Sequence, residues 1–353
     1  MDINSSYIIA LDAHGSDHGV SVAVEGALLA IDKLGCKVVL VGDKTEIETF
    51  LKPDEDDTSK KIWPKGLSHF QADEKIEMHE EPVKSLRKKP NSSIGISARI
   101  VKDGLAHAMV GSGNTGAMMA SALLTLGRIK GVERPGIAVE LPSPGDGTGA
   151  QARQILMDAG ANVNSEPIWL FQHGLMARAY VQHRWGIEKP TIGLLSNGEE
   201  SSKGDTLRKQ AYPLLETIDG FIGNCEGKDL TTGDPQIVIT DGFTGNVALK
   251  TMEATFKSIS KMFLNVLSNP ELAQAAGIVM PHIFSAAKEM HPDSFGGAVL
   301  LGINSPVVIA HGHAAGDAIY NAIRVACECL QSGVVDAIKD EIASTQNIKQ
   351  ITS

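Results

Sequence analysis

The most constraining feature of this chain is a repeated pattern: a short apolar run, a turn rich in glycine and small polar residues, then an amphipathic helix. The apolar runs that precede these turns are Tyr7–Leu11, Ala106–Val110, Gln154–Met157, Thr191–Leu195, Ile237–Thr240 and Val307–Ala310. Short apolar strands that alternate with helices favour a mostly parallel sheet covered by helices on both faces. The sequence therefore predicts an α/β protein.

Each apolar run leads into a turn that could carry chemistry. The turns read DAHGSDHG (12–19), GSGNTG (111–116), DAGAN (158–162), SNGEESSKG (196–204), DGFTGN (241–246) and HGHAAGD (311–317). In open parallel sheets, ligands bind beyond the carboxyl ends of the strands. We therefore expect these turns to build one cleft from distant parts of the chain.

The composition of the chain limits which classes of function it can have. The chain has 353 residues, 42% of them hydrophobic, which suffices for one large α/β domain or two smaller ones, and we expect residues 1–353 to form a single domain. A formal net charge of −10 argues against non-specific nucleic-acid binding, which needs a basic surface. An acidic partner would require a local basic patch, and Arg87–Lys89 and the set Arg128, Lys130 and Arg134 are the densest candidates.

Targeting and redox signals are absent from the sequence pattern. No cationic, apolar leader opens the chain, and no run approaches the roughly 20 apolar residues of a spanning helix. The four cysteines form no CxxC pair, which is typical of reduced cytosolic thiols. We expect a cytoplasmic protein that is soluble, or at most peripheral at a membrane.

Two turns offer sites for anions. The glycines of Gly111–Gly116 allow close backbone approach, but the turn is neither GxGxxG nor a Walker A loop, so by itself it does not distinguish an anion site from a plain tight turn. Lys203 lies just past a strand, at the predicted start of a helix. Because a helix N-terminus disfavours cations, such a lysine either holds an anion or is a solvated surface residue beside Glu199 and Glu200.

Three further turns contain polar candidates. Asp241 either caps the following helix or serves as an acid, base or ligand. Asn246 offers an amide donor suited to an oxyanion, or is an ordinary turn amide. The two Asp and two His of DAHGSDHG lack a helical HxxxH spacing, so loop hydrogen bonding is favoured over a metal site. His311 and His313 are candidates for a ligand or general acid.

A stretch without an intervening strand, Ala254–Met290, predicts a helical hairpin. Its apolar residues recur at helical spacing: Phe256, Ile259, Met262, Phe263, Val266 and Leu267, then Leu272, Ala276, Val279, Ile283 and Phe284. Core packing is the favoured interpretation of this stripe, and contact with a partner or membrane is the alternative.

Taken together, the turns resemble the bacterial phosphate acyltransferase family (acyl carrier protein:phosphate acyltransferases of phospholipid synthesis) over about Ile8 to Ala326. The motifs that carry the resemblance are LDAHGSDHG, RKKPNSSI, GSGNTGAMMA, VERPGIAVELP, LMDAGAN, NGEESSKG, TDGFTGNVALKTMEA and GGAVLLGINSPVVIAHG. The chain departs from the family pattern in its first loop, where His14, Ser16 and Val20 replace the usual Met, Gly and Pro. The segment Ser143–Gln154 is also longer than expected.

The resemblance implies a Rossmann-like α/β/α sandwich related to phosphate acetyltransferases and isopropylmalate dehydrogenases, with a projecting helical hairpin. It implies reversible transfer of a long-chain acyl group from acyl carrier protein to inorganic phosphate, without cofactor or metal. The implied partners are a second copy of the chain, the membrane surface and a downstream glycerol-3-phosphate acyltransferase.

Site residues follow from the same motifs. Lys203 and Asn246 are the implied catalytic pair. The implied substrate-binding residues are Asp12, Gly15, Ser112, Gly113, Asn114, Thr115, Gly116, Asn162, Asp241, Gly242, Gly245 and His311.

Three alternatives remain open at this point. A phosphate acetyl- or butyryltransferase that uses coenzyme A would share the chemistry. A nicotinamide-dependent dehydrogenase would share the fold, but the chain lacks the dinucleotide fingerprint. A non-catalytic scaffold would not need both Lys203 and Asn246.

Overall fold

The computed structural model describes residues 3, 6–55, 57, 60–141, 153–289, 292–312 and 315–349. Its strands are β1 (Ile8–Asp12), β2 (Lys37–Gly42), β3 (Leu67–Gln71), β4 (Ala108–Gly111), β5 (Gly136–Leu141), β6 (Gln154–Met157), β7 (Ile192–Leu195), β8 (Phe221–Cys225), β9 (Ile237–Ile239), β10 (Ala298–Leu301) and β11 (Val307–Ile309). Its helices are α1 (Val20–Leu34), α2 (Lys44–Glu48), α3 (Pro82–Lys88), α4 (Ser93–Lys102), α5 (Thr115–Ser121), α6 (Pro167–Trp185), α7 (Thr206–Leu215), α8 (Gly242–Leu267), α9 (Ala273–Glu289), α10 (Pro292–Phe295), α11 (Gly316–Gln331) and α12 (Val334–Lys349).

The chain divides into two compact units. Unit 1 comprises Met1–Ala138, Leu175–Lys189 and Gly296–Ser353, and unit 2 comprises Val139–Gly174 and Pro190–Phe295. The boundary falls inside β5 and again inside α6.

In unit 1 the strand order is β3-β2-β1-β4-β11-β10. All neighbouring pairs are parallel except β10 and β11, which are antiparallel. The central strand β4 is buried along its whole length, as expected for a parallel strand covered on both faces. Helices α1 and α11 pack against each other, and the ideal Cβ of Gly26 would lie 2.5 Å from Ile319 Cβ. The close approach of the two helices therefore requires a residue without a side chain there.

In unit 2 the strands β6, β9, β7 and β8 lie in that order and are all parallel. Ile237 of the central strand β9 is in register with Ile155 on one side and Ile192 on the other. All three strands β6, β9 and β7 are buried. The predicted α/β class with a mostly parallel sheet is thus confirmed.

Helices α8 and α9 occupy the region predicted as a hairpin. The helix that follows DGFTGN does not end before the hairpin; it continues for 26 residues as α8. A 3-10 turn, Pro270–Leu272, joins it to α9, which packs against it. Much of the apolar stripe that was expected to be core is exposed, including Ile259, Met262, Phe263, Val266 and Phe284.

No helix within the described ranges combines the length and apolarity needed to cross a membrane. The unusually long segment noted in the sequence lies largely outside the described residues, at 143–152.

Candidate active site

Three neighbouring strands of unit 2 deliver their following loops to one edge of its sheet. The loop after β6 carries Asn162, the loop after β7 carries Lys203, and β9 leads into the first turn of α8, with Asp241 and Asn246. Adjacent strands lie about 4.8 Å apart, so the residues that follow β7 and β9 start from neighbouring positions. The predicted catalytic pair therefore comes from adjacent strands of one sheet.

The start of α8 rests directly on the loop after β6. An ideal Cβ on Gly245 would lie 1.9 Å from the carbonyl oxygen of Asp158, and one on Gly242 would lie 2.6 Å from that of Asn162. The Gly242 N–H also donates to Asn162 O at 3.0 Å. Gly242 and Gly245 are thus required for close backbone packing, which brings Asn246 over the loop.

The loop itself is organised around Asp158, which the sequence reasoning did not single out. This carboxylate is fully buried and accepts hydrogen bonds from the backbone N–H groups of Gly160, Ala161 and Asn162, at 2.8 to 3.1 Å. The side-chain amide of Asn162 donates to it as well, at 2.9 Å. Asp158 therefore fixes Asn162, and the main role of Asn162 is to support the start of α8.

We expect Gly245→Ala to lower the free energy of unfolding by about 3 kcal/mol or more, because overpacking a closed site costs about 1–3 kcal/mol and here the added methyl meets backbone. Chemical denaturation measures the change. The matched control is Gly277→Ala in α9, where an added Cβ meets nothing within 4 Å and helix propensity predicts a gain of up to about 1 kcal/mol. Equal effects of the two substitutions would contradict the packing argument.

Asp241 caps α8 and forms a buried ion pair. Its Oδ1 accepts from the Thr244 N–H at 2.8 Å, and its Oδ2 accepts from Arg208 Nη2 at 2.8 Å. Burial acts to raise the pKa of Asp241, but the hydrogen bonds from Thr244 and Arg208 outweigh it and lower the pKa below its ordinary value. The carboxylate is therefore ionised and engaged, which favours the capping interpretation over a role as acid or base.

Lys203 does not open a helix, contrary to the expectation from sequence. Helix α7 begins at Thr206 with Asp205 as its N-cap, so Lys203 lies outside the helix, before the turn at Gly204. Gly204 has a φ of 96°, a conformation that favours glycine. The Lys203 stem passes over Gly198, whose ideal Cβ would lie 2.8 Å from Lys203 Cγ. Because Lys203 lies outside the first turn of α7, the unfavourable interaction between its positive charge and the helix dipole is weaker than the sequence predicted.

The ammonium group of Lys203 is exposed and forms no ion pair with any residue that the structure describes. Glu199, one of the two acids expected to neutralise it, pairs with Lys228 at 2.8 Å. Lys228 also pairs with Glu226 at 2.9 Å. The positive charge of Lys203 is consequently available to an anionic ligand.

Asn246 is exposed one turn into α8 and packs against Gly160, whose ideal Cβ would lie 3.5 Å from Asn246 Cγ. Within the described part of the chain its carboxamide forms no hydrogen bond. It is therefore free to donate to a ligand, in contrast to the amide of Asn162.

A cavity of about 490 Å³ lies between the loop after β7 and the first turn of α8. It is lined by Leu195, Ser196, Asn197, Gly204, Asp205, Arg208 and Thr244. Ser196 Oγ is enclosed and has no hydrogen-bond partner among the described residues. The cavity is thus a recess with several polar side chains beside the loop that carries Lys203.

The predicted residues of unit 1 form a second group, at the carboxyl ends of β1 and β4. Gly15 and Gly113 are in close contact, since an ideal Cβ on Gly15 would lie 2.5 Å from Gly113 N. The same position would be 2.6 Å from Asp12 Oδ2. Burial raises the pKa of the Asp12 carboxyl, and hydrogen bonding from Ser93 and His14 offsets this only in part.

The rest of the GSGNTG turn is mostly structural. Asn114 caps α5 through the Ala117 N–H, and its amide donates to the carbonyl groups of Glu77, Met78 and Glu80. Ser112 is buried, Thr115 is exposed, and Gly116 packs on Pro82. All polar atoms of the Asn114 side chain are therefore occupied, and a substrate would have to meet backbone here.

The histidines of unit 1 occupy separate positions. His14 Nε2 accepts from the Asp43 N–H at 3.2 Å and lies 3.4 Å from Glu46 Oε2, which gives it a local role in the first loop. His311 is half-buried after β11. His313 lies outside the described residues.

Known proteins that are similar to this chain share its fold and indicate which class of reaction it catalyses. A family model described as fatty acid synthesis protein matches residues 7–337. The chain is 40% identical over 343 residues to the phosphate acyltransferase of Elusimicrobium minutum (strain Pei191), covering 96% of this chain and 97% of that protein. It is 39% identical over 339 residues to the phosphate acyltransferase of Bacillus subtilis (strain 168), covering 95% and 97%.

Solved structures with a similar fold include a phosphotransacetylase from Streptococcus pyogenes, with a TM-score of 0.61 and 16% identity over 94% of this chain and 95% of that one. A branched-chain phosphotransacylase from Enterococcus faecalis V583 has a TM-score of 0.55 and 14% identity over 91% and 98%. At this level of identity the likeness establishes the fold. The sequence relatives and the family model establish more: the chain belongs to the phosphate acyltransferase family and is an acyltransferase.

Proposed function

We propose that this enzyme transfers a long-chain fatty acyl group reversibly from acyl carrier protein to inorganic phosphate. The product, an acyl phosphate, would supply the acylation of glycerol 3-phosphate in phospholipid biosynthesis. The observation that carries the proposal is the pair of unoccupied donors, Lys203 in the loop after β7 and Asn246 in the helix after β9, which follow adjacent strands of one sheet.

The reaction needs little proton transfer. Inorganic phosphate is a mixture of mono- and dianion near neutral pH, since even its esters have a second pKa of about 6, and the dianion is nucleophilic without a strong base. A phosphate oxygen forms a bond to the thioester carbonyl carbon, the C–S bond breaks, and the phosphate proton passes to the departing thiolate. Because a thiol has a pKa of about 8.5, the thiolate leaves with little help from an acid.

What the protein must supply is positioning and electrostatic stabilisation. We assign the Lys203 ammonium to the phosphate or to the departing thiolate, since its charge is not neutralised by a neighbouring described acid. We assign the Asn246 amide to the carbonyl oxygen, where negative charge develops during the reaction. Within unit 1, the glycine backbone of Gly111–Gly116 and Gly15 is proposed as a substrate-binding surface.

The assignment is tested by incubating the protein with palmitoyl-acyl carrier protein and labelled phosphate. A labelled product that hydroxylamine destroys is the expected result. A parallel series with acetyl-, butyryl- and palmitoyl-coenzyme A separates the carrier-dependent reaction from the coenzyme A alternative. Faster turnover of short-chain coenzyme A thioesters would favour that alternative, and no product from any donor would contradict both.

Acyl carrier protein is acidic, so an acidic enzyme needs a basic surface to bind it. Arg87 and Lys88 at the end of α3 are exposed and form no ion pair with described residues, whereas Lys89 pairs with Glu80 at 2.5 Å. The start of α3 contacts the GSGNTG turn, since the ideal Cβ of Gly116 would lie 2.5 Å from Pro82 Cγ. We therefore place carrier docking on α3.

Reversing both charges, in Arg87→Glu/Lys88→Glu, is expected to weaken carrier binding by about tenfold, which equals about 1.4 kcal/mol. The salt dependence of binding should flatten as well, because exposed charges are screened within about 8 Å at physiological ionic strength. Titration of the carrier across a salt series measures both effects. The control is Lys37→Glu/Lys102→Glu, which makes the same charge change at exposed lysines of unit 1. Unchanged affinity of the α3 variant would refute this docking site.

We further propose that the enzyme is a cytoplasmic homodimer that contacts the membrane surface through the hairpin, residues 254–290. The support is the row of large apolar side chains that α8 and α9 expose. On this proposal residues 1–353 act as one acyltransferase domain, and a membrane-bound glycerol-3-phosphate acyltransferase receives the acyl phosphate.

A further inference from the structure

One buried arginine connects three elements of the candidate active site in unit 2. Arg208, in the first turn of α7, is 8% exposed. Its Nε donates to Leu195 O at the end of β7 at 2.6 Å, and its Nη1 donates to Asp205 Oδ2, the N-cap of α7, at 2.9 Å. Its Nη2 donates to Asp241 Oδ2, the N-cap of α8, at 2.8 Å.

The same Nη2 group also lies within hydrogen-bond distance of Thr240 Oγ1, at 3.1 Å, and Thr244 Oγ1, at 3.2 Å. Thr240 follows β9, Asp241 caps α8 and Thr244 lies in the first turn of α8, so the guanidinium holds this corner from one side. On the other side the corner packs on Asp158 through Gly245. The first turn of α8 is thereby clamped between two fixed groups.

The surroundings of Arg208 indicate a structural clamp and do not favour an independent anion site. Two carboxylates, Asp205 and Asp241, face the single guanidinium, so the cluster has a formal charge of −1. An additional anion would be repelled by this cluster. The planar fork of five N–H donors is what allows one side chain to reach three directions, and a lysine ammonium cannot reproduce it.

We propose that Arg208 is a positioning residue of this acyltransferase, which sets the place of Asn246 relative to the loop that carries Lys203. The inference rests on the proposed function of these two residues. Arg208 fixes Asp241, whose carbonyl oxygen accepts from the Gly245 N–H at 2.9 Å, immediately before Asn246. It also fixes Asp205, two residues after Lys203. Both reactive side chains thus start from backbone that Arg208 holds.

The test compares Arg208→Lys, which keeps the charge, with Arg208→Met, which removes it, and Lys209→Met, which changes the neighbouring exposed cation of α7. A displacement of about 1 Å at a reacting group can cost about 100-fold in rate. We therefore expect kcat of Arg208→Lys to fall by about that factor with little change in KM, while Lys209→Met behaves as the wild type.

A double variant, Arg208→Met/Asp241→Asn, separates positioning from charge balance. It removes the unpaired buried carboxylate but keeps a side chain that caps helices well. We expect it to recover stability relative to Arg208→Met without recovering kcat. Wild-type kcat in Arg208→Lys would overturn the inference, because a positive charge alone would then suffice. Wild-type kcat in the double variant would overturn it as well, because balanced charge without the guanidinium would then suffice.

Hydrogen exchange gives a readout that does not depend on activity. Amides of residues 242–246 should exchange faster in Arg208→Lys than in the wild type, and unchanged protection there would count against the clamp. If the wild-type enzyme formed no acyl phosphate from any donor, the proposed function would fail, and this measurement would still decide whether Arg208 holds the first turn of α8.

Discussion

Replacing Lys203 with alanine is expected to slow acyl transfer to phosphate by about 100- to 1,000-fold, the range found when one electrostatic donor is removed from an active site. The reason is that its exposed ammonium forms no ion pair with a described residue; of the two acids in its loop, Glu199 pairs with Lys228 at 2.8 Å. Steady-state rates of labelled phosphate incorporation measure the loss. If the amine binds phosphate, the KM for phosphate should rise; if it protonates the thiolate, only kcat should fall.

The matched control for this variant is Lys209→Ala, which removes another exposed lysine of the same unit, six residues along the chain. It should leave the rate unchanged. A Lys203→Ala enzyme with near wild-type turnover would show that the amine is a solvated surface group and would remove Lys203 from the proposed mechanism.

The sequence predicted the central strands of both units because they are buried on both faces and therefore read as short continuous apolar runs. It did not identify β3 (LSHFQ), an edge strand of which only Leu67 is buried, because its residues lack such a run. The antiparallel pair β10–β11 was recognisable in principle. Only five residues separate the two runs, whereas a parallel connection needs a dozen or more.

Periodicity identified the apolar face of the helices at 254–290 but could not say what covers it. Ile259 and Phe263 were expected in the core on spacing alone, yet they are 46% and 47% exposed. A hydrophobic stripe predicts that one face of a helix is removed from water. Whether that face is covered by the chain itself, by a partner or by a membrane depends on tertiary structure.

The turns of the candidate site could be located from sequence, because glycine and capping residues mark strand-to-helix corners. The groups that organise them could not. Arg208 meets Asp241 across 33 positions of sequence, and the Asn114 amide reaches carbonyl groups more than 30 positions away. No local pattern encodes these contacts, so the sequence indicates Asn114 only as a candidate substrate ligand and does not identify Arg208.

Replacing Asn246 with alanine should reduce kcat by about 100- to 1,000-fold, the cost of losing one oxyanion donor. The side chain packs on Gly160 but forms no hydrogen bond with described residues, so its loss should leave the free energy of unfolding nearly unchanged. Asn265→Ala, at an exposed position of the same helix, is the matched control and should be fully active.

Asn246→Asp gives the sharper test, because the replacement has the same shape but puts negative charge where negative charge develops. It should be at least as impaired as Asn246→Ala if the amide faces the carbonyl oxygen of the thioester. If Asn246 only helped to support the turn, aspartate would preserve the packing on Gly160 and the rate would recover. A rate for Asn246→Asp close to that of the wild type would therefore exclude the amide from stabilising the oxyanion, whatever the alanine variant does.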